Sequence, residues 1–418
     1  MPQITRRTFG VVAAATVVTG LSHAAYAQTR RKLVAGYSDF AQMYDELARH
    51  FQASNPDIEI SYLSSATTYD ELIQRAIRDT LVGQQQDILF MGFGQLPLLA
   101  KRGMAVPLDD FIARDRSWQT DGIADVSLQL GKFDGKVVAL PFGIAAPIVY
   151  YNQDLIAKSG YSGSMPSTWE EILALGQRIN NLGSPIAGGW FQYQGNWLFP
   201  AFLNARGGHL TGPDGSVGFN NENGQYALEI LQRFGQIGMT DMSPGQARQA
   251  FVAGSLGLLV GSSSWSGRLT SQIGNAFRMG VGPFPCTEQG FLPAGGNAIA
   301  IISKDATHQS DAWRFIRFAT GPVGQSILLN NSGYVPPKAT GAPQSSTLNA
   351  FLATHPSQAF AISQVSRLGP WEQFPGDNST ALNTVVENSL QAVITQRVAP
   401  KDALVSLVRD VSAKLPDH

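Results

Sequence analysis

The sequence predicts an α/β protein built from two domains. Strand-like and helical segments alternate along the chain, and three β-α repeats follow one another between Lys32 and Met91, which indicates a parallel sheet covered by helices. The 418 residues exceed the roughly 250–300 at which a single core stops growing. No flexible linker, tandem repeat or low-complexity tract interrupts the pattern, so we expect short, rigid crossovers between the domains.

The first elements follow from the spacing of apolar residues. Met43, Leu47 and Phe51 recur every four positions, which defines one face of a helix. Asn55-Pro56 ends this helix because the residue before a proline is pushed out of the helical region. The alternation over Ile58–Tyr62 then predicts a strand.

The later elements continue the alternation. Ser167 to Glu171 offers a capping box at the start of a helix that ends near Asn180. The remaining segments are a helix from Tyr69, a strand at Asp87–Met91, strands at Lys136–Leu140 and Ile148–Tyr151 on either side of Pro141-Phe142-Gly143, a helix at Gln225–Gln236, a strand at Leu256–Val260, and two long helices at about Asp311–Asn330 and Thr380–Leu415.

The N-terminal residues predict export. Paired arginines in Thr5-Arg6-Arg7-Thr8-Phe9 precede an apolar run, Gly10–Leu21, and Ala25-Tyr26-Ala27 has the pattern that signal peptidase cuts. The apolar run is shorter than the roughly 20 residues of a membrane span. Residues 1–27 are therefore predicted to be a twin-arginine-like signal peptide, with a buried N-terminal helix as the alternative. No cysteine directly follows the cleavage site, so we expect a soluble periplasmic protein without a lipid anchor.

Composition limits the partners and the chemistry. Charged residues make up 15% of the chain and the net charge is −1, whereas nucleic-acid or membrane-surface binding needs a basic excess. Cys286 is the single cysteine, so no internal disulfide can form. None of the six histidines has the three- or four-residue spacing of a helical metal site. We expect no nucleic-acid partner, no cofactor and no metal.

Motifs of exported enzymes are weak in this sequence. Gly261-Ser262-Ser263-Ser264-Trp265 ends in Trp where the hydrolase elbow requires Gly. Gly92-Phe93-Gly94 lacks the third glycine of a dinucleotide-binding turn. A carboxylate pair for glycoside hydrolysis stays open, because a sequence does not show which acids meet in space. An exported carbohydrate-active hydrolase is therefore the alternative to a binding protein, which would not be an enzyme.

Polar and aromatic residues follow the ends of predicted strands, where open parallel sheets bind their ligands. Ser38-Asp39 follows the first strand, Phe93 the third, and Ser263 and Trp265 a later one. Gly188-Gly189-Trp190 and Gly195-Asn196-Trp197 add indoles beside small residues and amides. Sugars pack their C–H faces on aromatic rings and hydrogen-bond through their hydroxyls, so the pattern favours a carbohydrate-like ligand. Core packing is the alternative for each tryptophan.

An ordered set of short motifs runs through nearly the whole chain: Leu140-Pro141-Phe142-Gly143, Val149-Tyr150-Tyr151-Asn152, Thr168-Trp169-Glu170-Glu171, Gly295-Gly296-Asn297, Trp313–Phe318 with Gly321-Pro322, and Ser332-Gly333-Tyr334-Val335-Pro336. In this order the motifs resemble the extracellular solute-binding protein family 1, the sugar- and glycerol-phosphate-type binding proteins of ABC importers. The resemblance implies the two-lobed periplasmic binding protein fold (type II-like), in which each lobe is a sheet flanked by helices and the ligand lies in the cleft between the lobes.

The resemblance also implies how the chain is divided and what it does. Residues 28–145 with about 296–338 would form the N-terminal lobe, and 146–295 with about 339–418 the C-terminal lobe. Hinge crossings would lie near Ala145–Pro147, at Gly295–Asn297 and just beyond Pro337. The implied function is a monomeric periplasmic protein that captures a carbohydrate or sugar-like solute and delivers it to the transmembrane subunits of an ABC permease. A purely sensory receptor stays open.

By the same resemblance, Arg367 matches the stretch in which the glycerol-phosphate branch holds its anion, with a structural ion pair as the alternative. That branch carries a Glu just after the third strand, where this chain has Phe93 or a neighbouring residue, which favours a sugar, glycoside or acidic sugar derivative over glycerol phosphate. The full set of expected ligand contacts is Ser38, Asp39, Tyr69, Phe93, Trp190, Gln194, Trp197, Ser263, Trp265, Gly296, Asn297, Tyr334 and Arg367.

Overall fold

The computed structural model describes residues 30–118, 122–123, 125–339 and 346–416, so the predicted signal peptide lies outside the described residues. The strands in these ranges are β1 Arg31–Gly36, β2 Ile58–Tyr62, β3 Ile88–Gly92, β4 Lys132–Phe133, β5 Lys136–Val137, β6 Leu140–Ala145, β7 Pro147–Asn152, β8 Ala187–Phe191, β9 Leu256–Ser262, β10 Met279–Pro283, β11 Leu292–Pro293, β12 Gly295–Ile301 and β13 Leu368–Gly369.

Helices alternate with these strands. They are α1 Ala41–Ser54, α2 Tyr69–Leu81, α3 Leu96–Lys101, α4 Asp109–Arg114, α5 Asp125–Leu128, α6 Gln153–Lys158, α7 Trp169–Asn180, α8 Leu198–Asn204, α9 Glu222–Gln236, α10 Pro244–Val252, α11 Ser266–Ile273, α12 Ala306–Thr320, α13 Pro322–Asn331, α14 Ser346–Thr354, α15 Pro356–Ser363, α16 Ser379–Ile394 and α17 Pro400–Ser412.

Two sheets form the centres of two lobes. The N-terminal lobe has the strand order β2-β1-β3-β12-β6, and the C-terminal lobe has the order β10-β7-β9-β8. β1 pairs in parallel with β2 and β3, as the β-α repeats predict, while β12 is antiparallel to both of its neighbours. In the second sheet β8 and β9 are parallel and β7 is antiparallel. The predicted two-lobed α/β class is confirmed, with mixed rather than purely parallel sheets.

The chain passes between the sheets through very short connections. Only Ala146 separates β6 in the first sheet from β7 in the second. Ala294 alone separates β11 from β12, which returns the chain to the first sheet. If one lobe moves against the other, the few backbone torsions in these short connections must change, as in a hinge. The lobe boundaries expected above stay a prediction.

The segment Pro141-Phe142-Gly143 departs from the sequence prediction. It was expected to separate two strands, but it lies inside β6. β6 is the edge strand of its sheet, where proline is tolerated because the missing N–H removes no ladder hydrogen bond. The pairing with β12 shifts between Asn297 and Ala298, so Phe142 is the extra residue of a bulge.

Both long C-terminal helices are divided by proline. The predicted helix over 311–330 is α12 followed by α13, which begins at Pro322 after Gly321. The predicted helix over 380–415 is α16 followed by α17, which begins at Pro400. Proline lacks the N–H that continues a helix, but it fits the first helical position. The capping box at the start of α7 is confirmed, with Thr168 and Glu171 as partners.

Aromatic side chains fill the core of each lobe. Tyr44 and Phe142 pack around Phe90 in the N-terminal lobe, while Phe191 and Phe284 pack around Trp169 in the C-terminal lobe. These rings bury large apolar areas, which is the main driving force for holding each sheet against its helices. Within the described ranges, no helix combines the length and the apolar character that crossing a bilayer requires.

Candidate ligand-binding site

A cavity of about 790 Å³ of empty space, part of it open to solvent, lies between the two lobes. Its walls come from loops at the carboxyl ends of strands in both sheets: Ser38-Asp39 after β1, Gln95 after β3, Gln192 after β8, and Ser264-Trp265 after β9. The cavity therefore lies where α/β sheets place their ligands.

The structure brings eight of the thirteen expected contacts together at this cavity. They come from both lobes and include residues found through strand ends as well as those found through the resemblance. The eight are Ser38, Asp39, Tyr69, Gln194, Trp197, Trp265, Gly296 and Tyr334.

Phe93 and Trp190 do not line the cavity. Phe93 is 6% exposed and packs in the apolar cluster that includes Leu72 and Leu96. Trp190 is completely buried within β8, so its ring belongs to the core of the C-terminal lobe. The structure therefore does not bring either residue to the cavity, and Trp190 is placed as its core-packing alternative describes.

Ser263 and Asn297 lie behind the cavity wall instead of in it. The Ser263 backbone and hydroxyl both bond to Ala146, the single residue between β6 and β7, at 2.9 and 3.1 Å. Asn297 is fully buried and donates from Nδ2 to the Tyr69 hydroxyl at 3.0 Å. Each residue thus orients a neighbour, Ser263 the crossover and Asn297 a cavity ring.

Arg367 is also absent from the cavity wall. Its Nη2 donates to the backbone oxygen of Cys286 at 2.8 Å, and among the described residues no salt bridge to a carboxylate is formed by Arg367. The expectation that this guanidinium grips an anion in the cleft is not met by its placement.

Four aromatic rings form one wall of the cavity. The Trp371 ring lies edge-on to Tyr69 at 6.5 Å and 6.1 Å from the Trp197 ring. Both indole N–H groups are held by backbone oxygens, that of Trp197 by Pro293 and that of Trp371 by Asn196, each at 3.0 Å. The Tyr69 and Tyr334 hydroxyls are 3.4 Å apart. With their polar atoms fixed in this way, the rings offer rigid apolar surface to a ligand.

Glycines allow this wall to pack closely. A Cβ on Gly295 would approach Trp197 Cζ2 to 2.4 Å, and one on Gly94 would approach Trp371 Cδ2 to 2.8 Å. Gly296 has a φ of 107°, and a Cβ on this residue would lie 2.0 Å from the Gly143 backbone oxygen. A side chain at Gly295 or Gly94 would displace a ring, and one at Gly296 would push against the backbone of β6, so we attribute the glycines to the shape of the site.

Glutamine oxygens supply hydrogen-bond acceptors. The side-chain oxygens of Gln95, Gln192 and Gln194 are buried, and none of them has a hydrogen-bond partner among the described residues. All three glutamines line the cavity, and an unpartnered buried carbonyl costs free energy that a donating hydroxyl would recover. Asp70 adds a carboxylate that accepts bonds from Gln95 and Asn383 at 2.9 Å, and burial raises the pKa of Asp70.

Charged groups meet across the cleft at Asp39. Arg268 Nη1 donates to Asp39 Oδ1 at 3.0 Å, and Arg248 Nη2 lies 3.5 Å from Asp39 Oδ2. Asp39 belongs to the N-terminal lobe, while both arginines lie on C-terminal-lobe helices, α10 and α11. Burial raises the pKa of Asp39, but the two guanidinium charges outweigh burial and leave the pKa below its ordinary value. The carboxylate is thus ionised at neutral pH and joins the lobes.

Sequence reasoning missed several cavity residues. Gln192 and Gln95 follow strands directly, so the rule of strand ends could have found them. Trp371 follows β13, a two-residue strand that the sequence pattern did not reveal. Arg248 lies in the middle of α10, where nothing in the sequence distinguishes it from a solvated arginine.

The family model for bacterial extracellular solute-binding proteins matches residues 46–353. The chain belongs to this family. The family consists of binding proteins, so the hydrolase alternative is set aside. In the described parts of this solute-binding protein, no three or more metal-binding side chains form a group that could hold a metal ion.

Relatives agree with this family. The solute-binding protein is 23% identical over 397 residues to the sn-glycerol-3-phosphate-binding periplasmic protein UgpB of Agrobacterium fabrum, covering 88% of each chain. Its fold is similar to that of UgpB from Mycobacterium tuberculosis in complex with glycerophosphocholine (TM-score 0.79, 18% identity, 91% of this chain and 98% of that one). It is also similar to the GacH receptor of Streptomyces glaucescens, solved with acarbose (TM-score 0.75, 18% identity, 92% and 100%).

Proposed function

We propose that this protein is the periplasmic substrate-binding component of an ABC importer and captures a hydroxylated solute of carbohydrate or polyol type. One observation carries the proposal: rigid aromatic rings line the same interlobe cavity as three glutamines whose buried side-chain oxygens have no partner among the described residues. Such a cavity suits a molecule with apolar C–H faces and hydroxyl donors.

Both lobes contribute to the pocket, which supports capture by closure. A solute that contacts Tyr69 and Trp197 at once binds the closed form better than the open form, and so shifts the population toward closure. A permease that recognises the closed form would then receive loaded protein selectively. We propose that the protein acts as a single chain in this cycle.

The ligands of these relatives are consistent with this class of solute. Acarbose is bound by the GacH receptor, and glycerophosphocholine and sn-glycerol-3-phosphate belong to the UgpB proteins. All three molecules carry hydroxyl groups. At this degree of identity the relatives indicate a range of solutes, and the residues that line the cavity determine which solute in that range binds.

The test is direct identification of the solute. The protein would be purified from its native periplasm without denaturation, and the small molecules that it releases would be identified by mass spectrometry. Calorimetry with the released compound, and with a panel of neutral sugars and polyols, would measure affinity. We expect a hydroxylated solute and loss of its uptake when the gene is deleted. Release of an apolar compound or a peptide, with no binding of the panel, would refute the proposal.

A further inference from the structure

Arg248 is a cavity residue whose hydrogen-bonding capacity is unused in the described part of the chain. Its side chain is 15% exposed, lines the cavity and lies over the Trp265 ring at 4.9 Å. Among the described residues, its guanidinium makes an ion pair with Asp39 at 3.5 Å and no hydrogen bond. An arginine has five N–H donors, so several of them are free to meet a ligand.

Asp39 is already committed to other partners. Its Oδ1 accepts bonds from Arg268 at 3.0 Å and from the Phe40 backbone N–H at 2.9 Å. The Asp39 carboxylate therefore makes ion pairs with two guanidinium groups, and its hydrogen bond goes to the nearer one, that of Arg268. The two arginines and one aspartate leave one positive charge without a counter-charge at this end of the cavity.

The remaining groups that act on Arg248 do not supply the missing negative charge. Tyr150 stays neutral because burial holds its pKa well above the ordinary value, and its hydroxyl donates to the Ser262 oxygen at 2.7 Å. Arg268 repels Arg248, and burial lowers the pKa of Arg248. A buried charge without full compensation is costly, and a bound anion would remove that cost.

We propose that Arg248 selects, among hydroxylated solutes, those that carry a single negative charge, as a carboxylate or a phosphodiester. The planar guanidinium can give two parallel N–H bonds to either group, and the ring of Trp265 fixes its plane. This inference rests on the proposed function and adds the charge of the solute to it.

The test compares matched neutral and anionic solutes by calorimetry: D-glucose with D-glucuronate, D-galactose with D-galacturonate, and diglycerol with glycerophosphoglycerol. In the wild type we expect the anionic member of at least one pair to bind about tenfold more tightly or better, the scale of one charge-assisted bond. The pairs separate a carboxylate from a phosphodiester. The preference should shrink at high ionic strength.

Three variants assign that preference. In Arg248→Gln the gap should fall to about threefold or less, and Arg248→Lys should retain part of it, because an ammonium keeps the charge and loses the fork. Arg278→Gln, which removes an exposed charge of the same lobe, should retain the whole gap. Circular dichroism and thermal midpoints would verify that each variant folds. The salt dependence is measured on the wild type, so this test does not depend on the folding of any variant.

Two results would overturn the inference. Equal binding within every pair by the wild type, or an unchanged gap in a folded Arg248→Gln, would show that Arg248 does not select charge, while neutral binding would leave the proposed function intact. Failure of every member of the panel to bind would count against the proposed function itself, and the inference would fall with it.

Discussion

Trp371 lies in the aromatic wall of the cavity, although no sequence pattern around it predicts a site residue. Its ring is adjacent to both Tyr69 and Trp197, its N–H is fixed by the Asn196 oxygen, and Gly94 leaves room for it from the opposite lobe. The residue is thus a rigid surface shared by the two halves of the site. A ligand packed on it gains apolar contact without ordering a flexible side chain.

Replacing Trp371 by Ala should therefore weaken solute binding by about 1–3 kcal/mol, the scale of an aromatic anchor in a recognition site. Calorimetry with the identified solute would measure the loss. Trp118→Ala is the matched control, since Trp118 stacks on Trp313 and does not line the cavity. Normal affinity in a folded Trp371→Ala would remove this ring from the site.

Single residues also show what the sequence could reveal about the site. Trp190 and Trp197 have similar neighbours, but Trp190 lies within β8 and Trp197 lies after it, so only the second reaches the cavity. For this reason the rule of strand ends led to Ser38, Asp39 and Trp265, which line the cavity, and the ligand contacts themselves stay a prediction. Arg248 could not be distinguished from other arginines, because its role depends on the distant Asp39.

At the level of elements, α7 owes its start to side-chain capping. Thr168 accepts a bond from the Glu171 backbone N–H at 3.2 Å, and the Glu171 carboxylate accepts from Thr168 N at 3.1 Å. These bonds satisfy backbone donors that no helical partner can reach. The backbone N–H groups of Ser167 and Thr168, which both donate to the Glu171 carboxylate, lower its pKa. The helix packs on β8 and so holds one strand whose end faces the cavity.

Thr168→Ala should lower the free energy of unfolding by about 1 kcal/mol, the usual cost of losing an N-cap. Urea unfolding would measure the change, and solute affinity should stay the same because Thr168 does not line the cavity. Thr384→Ala, an exposed position within α16, serves as the comparison and should change stability little. Equal effects in the two variants would contradict a capping role.

Local signals were sufficient for this cap but not for every element. The Thr168–Glu171 spacing appears directly in the sequence, whereas the bulge at Phe142 requires knowledge that β12 is its partner. Apolar periodicity continued across Pro322 and Pro400, which made two pairs of helices look like two long ones. A new helix that begins at a proline keeps the apolar periodicity of the sequence, while the direction of the helix axis changes.

At the scale of the whole molecule, the lobes meet through an ion pair as well as through the hinge. Arg268 lies on α11 and does not line the cavity, but it holds Asp39 of the other lobe at 3.0 Å. Both side chains are 32% exposed, so water screens the attraction. The pair therefore contributes modestly to the closed form.

Arg268→Gln should weaken solute binding by about 0.2–1 kcal/mol, the range of partly exposed pairs, because the closed form loses a contact. Calorimetry at low salt would detect it. Arg409→Gln, which breaks an exposed pair with Asp410 within α17, should leave affinity unchanged. A loss of affinity as large in the second variant would rule out a specific effect across the cleft.

Closure itself should be visible in solution. If the solute binds between two lobes joined by single-residue connections, the radius of gyration should be smaller in the saturated protein than in the free protein. Small-angle scattering on both states would measure the difference. Superimposable curves at saturation would mean that the lobes do not move, and that the solute enters a preformed site.

The position of β12 has a consequence for how the chain folds. This strand lies between β3 and β6, although the whole of β7 to β11 separates it from them along the chain. During synthesis the edges of β3 and β6 therefore stay unpaired until residue 301 has left the ribosome. High contact order of this kind slows folding and prolongs the exposure of strand edges that invite aggregation. A nascent chain of this protein has a reason to meet a chaperone before its N-terminal lobe can close.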